Sequence, residues 1–126
     1  MKQLLNALRA SRPDCHVVAY GDATAQLILR ASHEPAYRRE HLDHLCEQAA
    51  TSFDMLQSVA ATWHNQEPAQ EPAQEAIVIN AKTTTLFVRE GKETSEFLCM
   101  VSATGPEIES LVTDGRRTLS LISADL

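Results

Sequence analysis

Apolar residues recur at steps of three and four from Leu42 through Leu45, Cys46, Ala49, Phe53, Leu56 and Ala60 to Trp63, a period that keeps them on one side of a helix. Glu34-Pro35 stands just ahead of this run, and proline is favoured in the first turn of a helix, so the spacing predicts a helix over 36–63. At the usual rise per residue it would be a rod about 40 Å long, more than one small core needs to cover. Its polar side carries acids. The extra length and that charged side suggest a surface offered to another molecule.

Whatever this helix lies on must come from both sides of it. Before it, KQLLNALRAS (2–11) sets Leu4, Leu5 and Leu8 on one helical face, and Pro13 ends that helix by its ring and missing N–H. CHVVAY then alternates Cys15, Val17 and Ala19 with His16, Val18 and Tyr20. After a turn at Gly21-Asp22-Ala23-Thr24, AQLILRA sets Ala25, Leu27, Leu29 and Ala31 against Gln26, Ile28 and Arg30. Two strands joined as a hairpin are expected. After the helix, AIVIN (76–80), TTLFVRE (84–90) and SEFLCMVS (95–102) read as three strands. The short connections AKT and Gly91-Lys92 make them consecutive antiparallel neighbours. Thr104 can cap and Pro106 can begin a last helix with Ile108, Leu111, Val112, Leu119 and Ile122 on one side, in which Gly115 either allows close packing or marks a break.

Between the long helix and the third strand the unit Glu-Pro-Ala-Gln occurs twice in a row. A border between two domains would leave each side short of strands, because an isolated hairpin is marginal in water. The repeat, within a Pro/Gln/Glu-rich stretch at 65–75, is therefore expected to be a surface loop inside a single domain spanning 1–126. Phe97, Cys99 and Val101 point one way along the last strand while Leu98 and Met100 point the other, so both faces of the sheet need cover. The resulting expectation is an α+β fold of order αββαβββα. One five-stranded antiparallel sheet carries the long helix on one face and the two terminal helices on the other.

Charge narrows what such a domain can bind. Between Glu34 and Glu75 there are eight acids against Arg38 and Arg39, while the remainder balances, so the whole net charge of −6 lies in one third of the chain. A phosphate backbone would be repelled there, no Lys/Arg cluster compensates elsewhere, and nucleic-acid binding is not expected. No run approaches the ~20 apolar residues of a membrane span, and MKQLLNALRA lacks the apolar stretch and cleavage site of a signal peptide. The expectation is a cytoplasmic protein without membrane insertion, whose Cys15, Cys46 and Cys99 are reduced, buried thiols.

Chemistry finds little footing. His41 and His44, one turn apart, could supply two metal ligands, but Cys46 lies on the apolar stripe and no third ligand is suggested, so no metal is expected. Cys15 and His16 cannot share a proton, because adjacent strand residues point to opposite faces. GxxxxGK[ST], GxGxxG and GxSxG are all missing, and with four glycines the chain has no phosphate cradle. No enzyme and no cofactor are expected. Phe53 and Trp63 read most simply as core, with Trp63 near the helix end as the sharper candidate for an interface.

The element order, together with HVVAYGDATAQLILRAS, the long helix HLDHLCEQAATSFDMLQSVA and the final EFLCMVSATGPEIESLVTDGRRTLSLI, resembles the roadblock/dynein light chain family over nearly the whole chain. The resemblance is one of architecture and hydrophobic pattern. It implies a non-enzymatic homodimer whose central strand pairs with its copy, acting as a scaffold or regulator of a Ras-like small GTPase or within a motility or membrane-signalling complex. Carried over, it makes AIVIN the dimer edge strand and the helix from Ala36 to Trp63 the shared and partner-facing surface. Candidate dimer residues are then Ile77, Val78, Ile79, Leu45 and Phe53, and candidate partner residues Glu40, Asp43, Glu47, Asp54 and Trp63. The residues support part of this: an apolar strand without internal Lys or Pro is poorly defended if left as an open edge, and self-pairing would solve that problem. Two other readings compete. A small acidic secretion-type chaperone dimer would need three strands before the long helix and two after it, and a profilin- or PAS-like ligand sensor would need a polar-lined cavity.

Overall fold

The computed structural model describes residues 1–63, 75–90, 94–103, 105 and 107–125, the side chains of 57–63 and 125 excepted. The elements run α1 (Lys2–Ser11), β1 (Cys15–Asp22), β2 (Leu27–His33), α2 (Arg39–Trp63), β3 (Glu75–Ile79), β4 (Thr83–Val88), β5 (Glu96–Ala103) and α3 (Ile108–Asp125). The strands form one antiparallel sheet in the order β2-β1-β5-β4-β3, so strands from both sides of the repeat share it. Most of the repeat loop, the Gly91-Lys92 turn, Thr104 and Pro106 lie outside the described residues. Glu75, read above as the end of the loop, is the first residue of β3.

Two cores sandwich the sheet. Leu5, Leu8, Leu111, Leu119 and Ile122 of the terminal helices pack on Val18, Tyr20, Leu86, Val88, Leu98 and Met100. On the opposite face Leu45, Cys46, Ala49 and Phe53 of α2 cover Val17, Ala19, Phe87, Phe97, Cys99 and Val101. The rings of Phe53, Phe87 and Phe97 meet edge to face with centroids 6.2 to 6.5 Å apart, the geometry that aromatic quadrupoles favour. Strands β4 and β5 are buried between helical layers, which is why they are apolar on both faces.

Strict alternation fails in the first hairpin. His16 is an extra residue between the Cys15–Ser102 and Val17–Val101 pairs, so Cys15 joins Val18 and Tyr20 under the terminal helices while Val17 and Ala19 face α2. A second bulge skips Leu29 between the Tyr20–Arg30 and Gly21–Ile28 pairs. Leu29 consequently packs on the α1/α3 side, and Ile28 and Ala31 on the α2 side. Gly21 belongs to β1, not to the turn, and a Cβ there would sit 2.9 Å from the Leu27 carbonyl oxygen. Asp22 makes the turn instead, its Oδ1 accepting the N–H groups of Thr24 and Ala25 at 2.9 and 3.1 Å.

Helix α2 starts at Arg39, three residues later than its pattern suggests. Helix α3 runs unbroken through Gly115, where an added Cβ would lie 2.9 Å from Leu86 Cδ2, so the glycine serves close packing of α3 on β4. Of the residues expected on the packed side of α3, Ile108 is instead exposed. The Arg12 guanidinium ties the two terminal helices together, donating to Ser110 Oγ at 3.1 Å and Asp114 Oδ2 at 2.6 Å.

Candidate interaction surface

Strand β3 is the outermost strand beyond β4, and its side chains divide between the two layers. Ala76 and Val78 pack against the α2 core. Ile77 and Ile79 lie on the other side of the strand and remain 36% and 57% exposed. Glu75 shares their side, where the guanidinium of Arg116 on α3 donates to its carboxylate.

Among the described residues, half of the β3 backbone has no hydrogen-bond partner. Asn80 N–H donates to the Thr83 carbonyl at 3.0 Å, which makes Asn80–Thr83 a hydrogen-bonded pair of the β3–β4 hairpin. Such pairs alternate along an antiparallel ladder. With the register Ile79–Thr84, Val78–Thr85, Ile77–Leu86, Ala76–Phe87 and Glu75–Val88, the N–H and C=O groups of Ala76 and Val78 turn to β4. Those of Glu75, Ile77 and Ile79 turn outward, a row of donors and acceptors on an apolar strand without Lys, Arg or Pro.

The other candidate surface is the outer side of α2, the helix that crosses the sheet from β2 to β3. Glu40, Asp43, Glu47 and Asp54 are all exposed there, as is Met55 at 63%. Leu45 and Phe53, read from sequence as candidates for a shared interface, are buried against their own sheet and retain 7% and 2% exposure, so little of either is left for a second molecule. The side chain of Trp63 lies outside the described residues. Asp54 borders a shallow groove of about 260 Å³, also lined by Thr24, Ala50, Phe53, Arg89 and Ser95. Arg89 lies over the Phe53 ring, 4.3 Å from its centroid; burial lowers its pKa and the charge of Asp54 opposes that shift.

One cluster was not legible beforehand. The bulge at His16 brings its Nδ1 to 2.9 Å from Glu34 Oε1 and its ring against Tyr37, which in turn meets His41, in the first turn of α2, edge to face. Only Glu34-Pro35 marked this corner in the sequence, and nothing in the spacing joined His16 to it. His41 Nδ1 accepts the Arg38 N–H at 3.1 Å, while Cys46 is fully buried on the far side of the helix. Among the described residues no group of three His, Cys, Asp or Glu side chains is placed to hold a metal. All three thiols are free and buried, and burial pushes the Cys46 thiol up to about 11, with Cys15 and Cys99 also raised for the same reason. They are neutral sulfhydryls at neutral pH, not nucleophiles. Among the described residues no helix is long and apolar enough to cross a membrane.

A five-stranded antiparallel sheet in this order, with one long helix on one face and the two terminal helices on the other, defines the class: an α+β domain whose apolar edge strand β3 is uncovered among the described residues. The fold is that of roadblock/LC7 domains. A roadblock/LC7 domain from Streptomyces avermitilis superposes with a TM-score of 0.78 at 10% identity, over 98% of this chain and 95% of that one. MglB solved in a tetrameric arrangement matches with a TM-score of 0.74 at 15% identity, over 97% and 84%. The gliding protein MglB from Thermus thermophilus matches with a TM-score of 0.74 at 15% identity, over 98% and 88%. No family model and no curated protein matches the sequence itself.

Proposed function

We propose that the protein is a non-enzymatic homodimeric adaptor or regulator that pairs with itself through β3 and acts on a Ras-like small GTPase or within a motility complex. The observation that carries the reading is the unguarded edge: Glu75, Ile77 and Ile79 turn their backbone groups outward on a strand whose two isoleucines are exposed. A second copy of the same strand satisfies those groups and covers the isoleucines at once. The acids Glu40, Asp43, Glu47 and Asp54 on the outer side of α2 then form the surface offered to a third molecule, which favours a partner with a basic patch over any nucleic acid. The GTPase as partner rests on the resemblance to roadblock proteins, and the gliding protein MglB among the structural neighbours supports a motility setting.

Light scattering at micromolar concentration tests the dimer, and a monomer there sinks the reading. For the partner, a Ras-like GTPase encoded beside this gene should co-elute with the protein in one nucleotide state; failure in both states removes the GTPase and leaves the dimer. The chaperone reading needs three strands before the long helix, and the chain places two before and three after it. The groove beside Arg89 is one place a sensed ligand could sit; native mass spectrometry that detects a retained small molecule would favour that reading instead.

A further inference from the structure

The backbone of β3 also constrains how the two copies align. Suppose two β3 strands pair antiparallel about a two-fold axis perpendicular to one continuous sheet. Residues directly opposite each other must then share a face, so Ile77, on the α3 side with Glu75 and Ile79, can stand opposite only one of those same residues. The centre of symmetry therefore falls on a residue and never between two. Three centres keep most of the strand paired: Ala76, Ile77 and Val78.

Hydrogen bonding decides among them. Since the outward-facing groups belong to Glu75, Ile77 and Ile79, these residues form the hydrogen-bonded pairs of the new ladder, each pair exchanging both bonds. Centred on Ile77, the pairs are Ile77 with Ile77 of the second copy and Glu75 with Ile79 of the second copy, in both directions. Every outward group of the strand is then satisfied. Centred on Val78, the outward groups of Glu75 fall opposite Ala81, in the hairpin bend beyond the strand. Centred on Ala76, those of Ile79 have no partner among the described residues of the strand. A Val78 centre would match Ile77 with Ile79, a better apolar pair, but it forms two hydrogen-bonded pairs where the Ile77 centre forms three, and the two backbone bonds lost outweigh such a side-chain pair.

We propose that the two copies pair in the register that sets Ile77 opposite Ile77, a refinement that rests on the homodimer proposed above. The Glu75–Arg116 ion pair fits this register. Glu75 stands opposite Ile79 of the second copy, and Arg116 holds its carboxylate on the α3 side, so the charge is compensated where it borders an isoleucine. On the α2 side Ala76 meets Val78 of the second copy, a small residue against a branched one at the non-hydrogen-bonded spacing, where side chains come closest.

Amide hydrogen exchange on the native protein tests the register, with light scattering to read the dimer itself. The proposal expects the amides of Glu75, Ile77 and Ile79 all to be slowed, by at least ~100-fold relative to an unstructured peptide. A dimer in which Glu75 alone exchanges freely is centred on Val78, and one in which Ile79 alone does so is centred on Ala76; either overturns the register and leaves the dimer standing. A monomer with all of these amides exchanging overturns both. Cysteine substitution gives an independent reading, because the native thiols are buried and protonated at neutral pH. Under mild oxidation Ile77→Cys should form a reductant-sensitive band of twice the chain mass, whereas Ala76→Cys and Val78→Cys should link only when the two are mixed. Self-linking of Val78→Cys or Ala76→Cys overturns the register. Should Ile77→Cys fail to dimerise under reducing conditions, the mixed pair supplies the same answer.

Discussion

The sheet has two edges, β2 and β3, and among the described residues only β2 is defended. On β2, Glu34 N–H donates to the His16 carbonyl, so by alternation the carbonyl of Ala31 points away from β1, and the ammonium of Lys2 on α1 donates to it. The bulge at Leu29 breaks the ladder with β1, and Gln26 just before the strand has φ 53°, which turns the chain away. Arg30 adds a charge within the strand. On β3 none of these devices is present: the register is continuous, the residues are apolar except Glu75, and that acid is bonded back to Arg116. This contrast between a blunted edge and a continuous apolar one is what the proposed pairing through β3 rests on.

The largest expected effect comes from charging the two edges in turn. Ile77→Lys places like charges directly opposite each other across the proposed two-fold and should weaken the dimer at least ~100-fold, about 3 kcal/mol, giving monomers in light scattering at micromolar concentration. Leu27→Lys at the exposed start of β2 should leave the dimer unchanged. If both variants stay dimeric, the copies meet elsewhere. If Leu27→Lys is the one that dissociates, the comparison is reversed.

A second prediction asks how each edge is supported from below. Strand β3 rests on β4, and β4 is pressed by α3 at Gly115, where a Cβ would already crowd Leu86. Gly115→Val should cost about 1–3 kcal/mol of stability through overpacking, read as a fall in the thermal midpoint. On the β2 side, buried Ser32 accepts from Arg9 Nε at 2.9 Å, and Ser32→Ala should cost less, about 1 kcal/mol. A larger loss at Ser32 than at Gly115 would mean that α1, not α3, dominates the packing of the outer strands.

How far the sequence carried these statements depends on which force sets each feature. Burial periodicity sets the order of elements, both faces of β5 and the packed side of α2, and all of these were readable because each apolar residue reports its own layer. The edge position of β3 came from the family resemblance, and the residues showed only that Ile77, Val78 and Ile79 stand together without a guarding charge. Bulges were not readable, since nothing in CHVVAY marks His16 as an extra residue; its place is set by pairing with β5, some eighty residues away in the chain. That one insertion moved Cys15 to the other face and carried His16 to Glu34 and Tyr37. Leu45 and Phe53 illustrate the opposite limit. Their spacing put them on the apolar stripe of α2, but a stripe does not say whether its cover is the chain's own sheet or a second copy, and here it is the sheet.

Arg116→Ala should act more gently, because exposed ion pairs contribute only about 0–1 kcal/mol. With the guanidinium gone, Glu75 is left uncompensated beside Ile79 of the second copy, and the dimer should weaken by up to ~5-fold while the thermal midpoint of the monomer hardly moves. A charge-swapped pair, Glu75→Arg with Arg116→Glu, should restore it. Loss of folding in Arg116→Ala would instead show that the pair holds β3 to α3, with its effect on the edge secondary.

The smallest effect lies on the defended edge. Lys2→Met keeps the stem of the side chain and removes the donor, so the outward carbonyl of Ala31 is freed while α1 still packs over β1 and β2. Folding stability should stay within ~0.5 kcal/mol of the native value. What changes is association: species larger than the dimer should appear at high concentration in sedimentation velocity, because an acceptor on a second edge becomes open to another chain. The bulge at Leu29 still interrupts that edge, which is why the effect is confined to high concentration. If no larger species forms, Lys2 is dispensable and the broken ladder alone keeps β2 single.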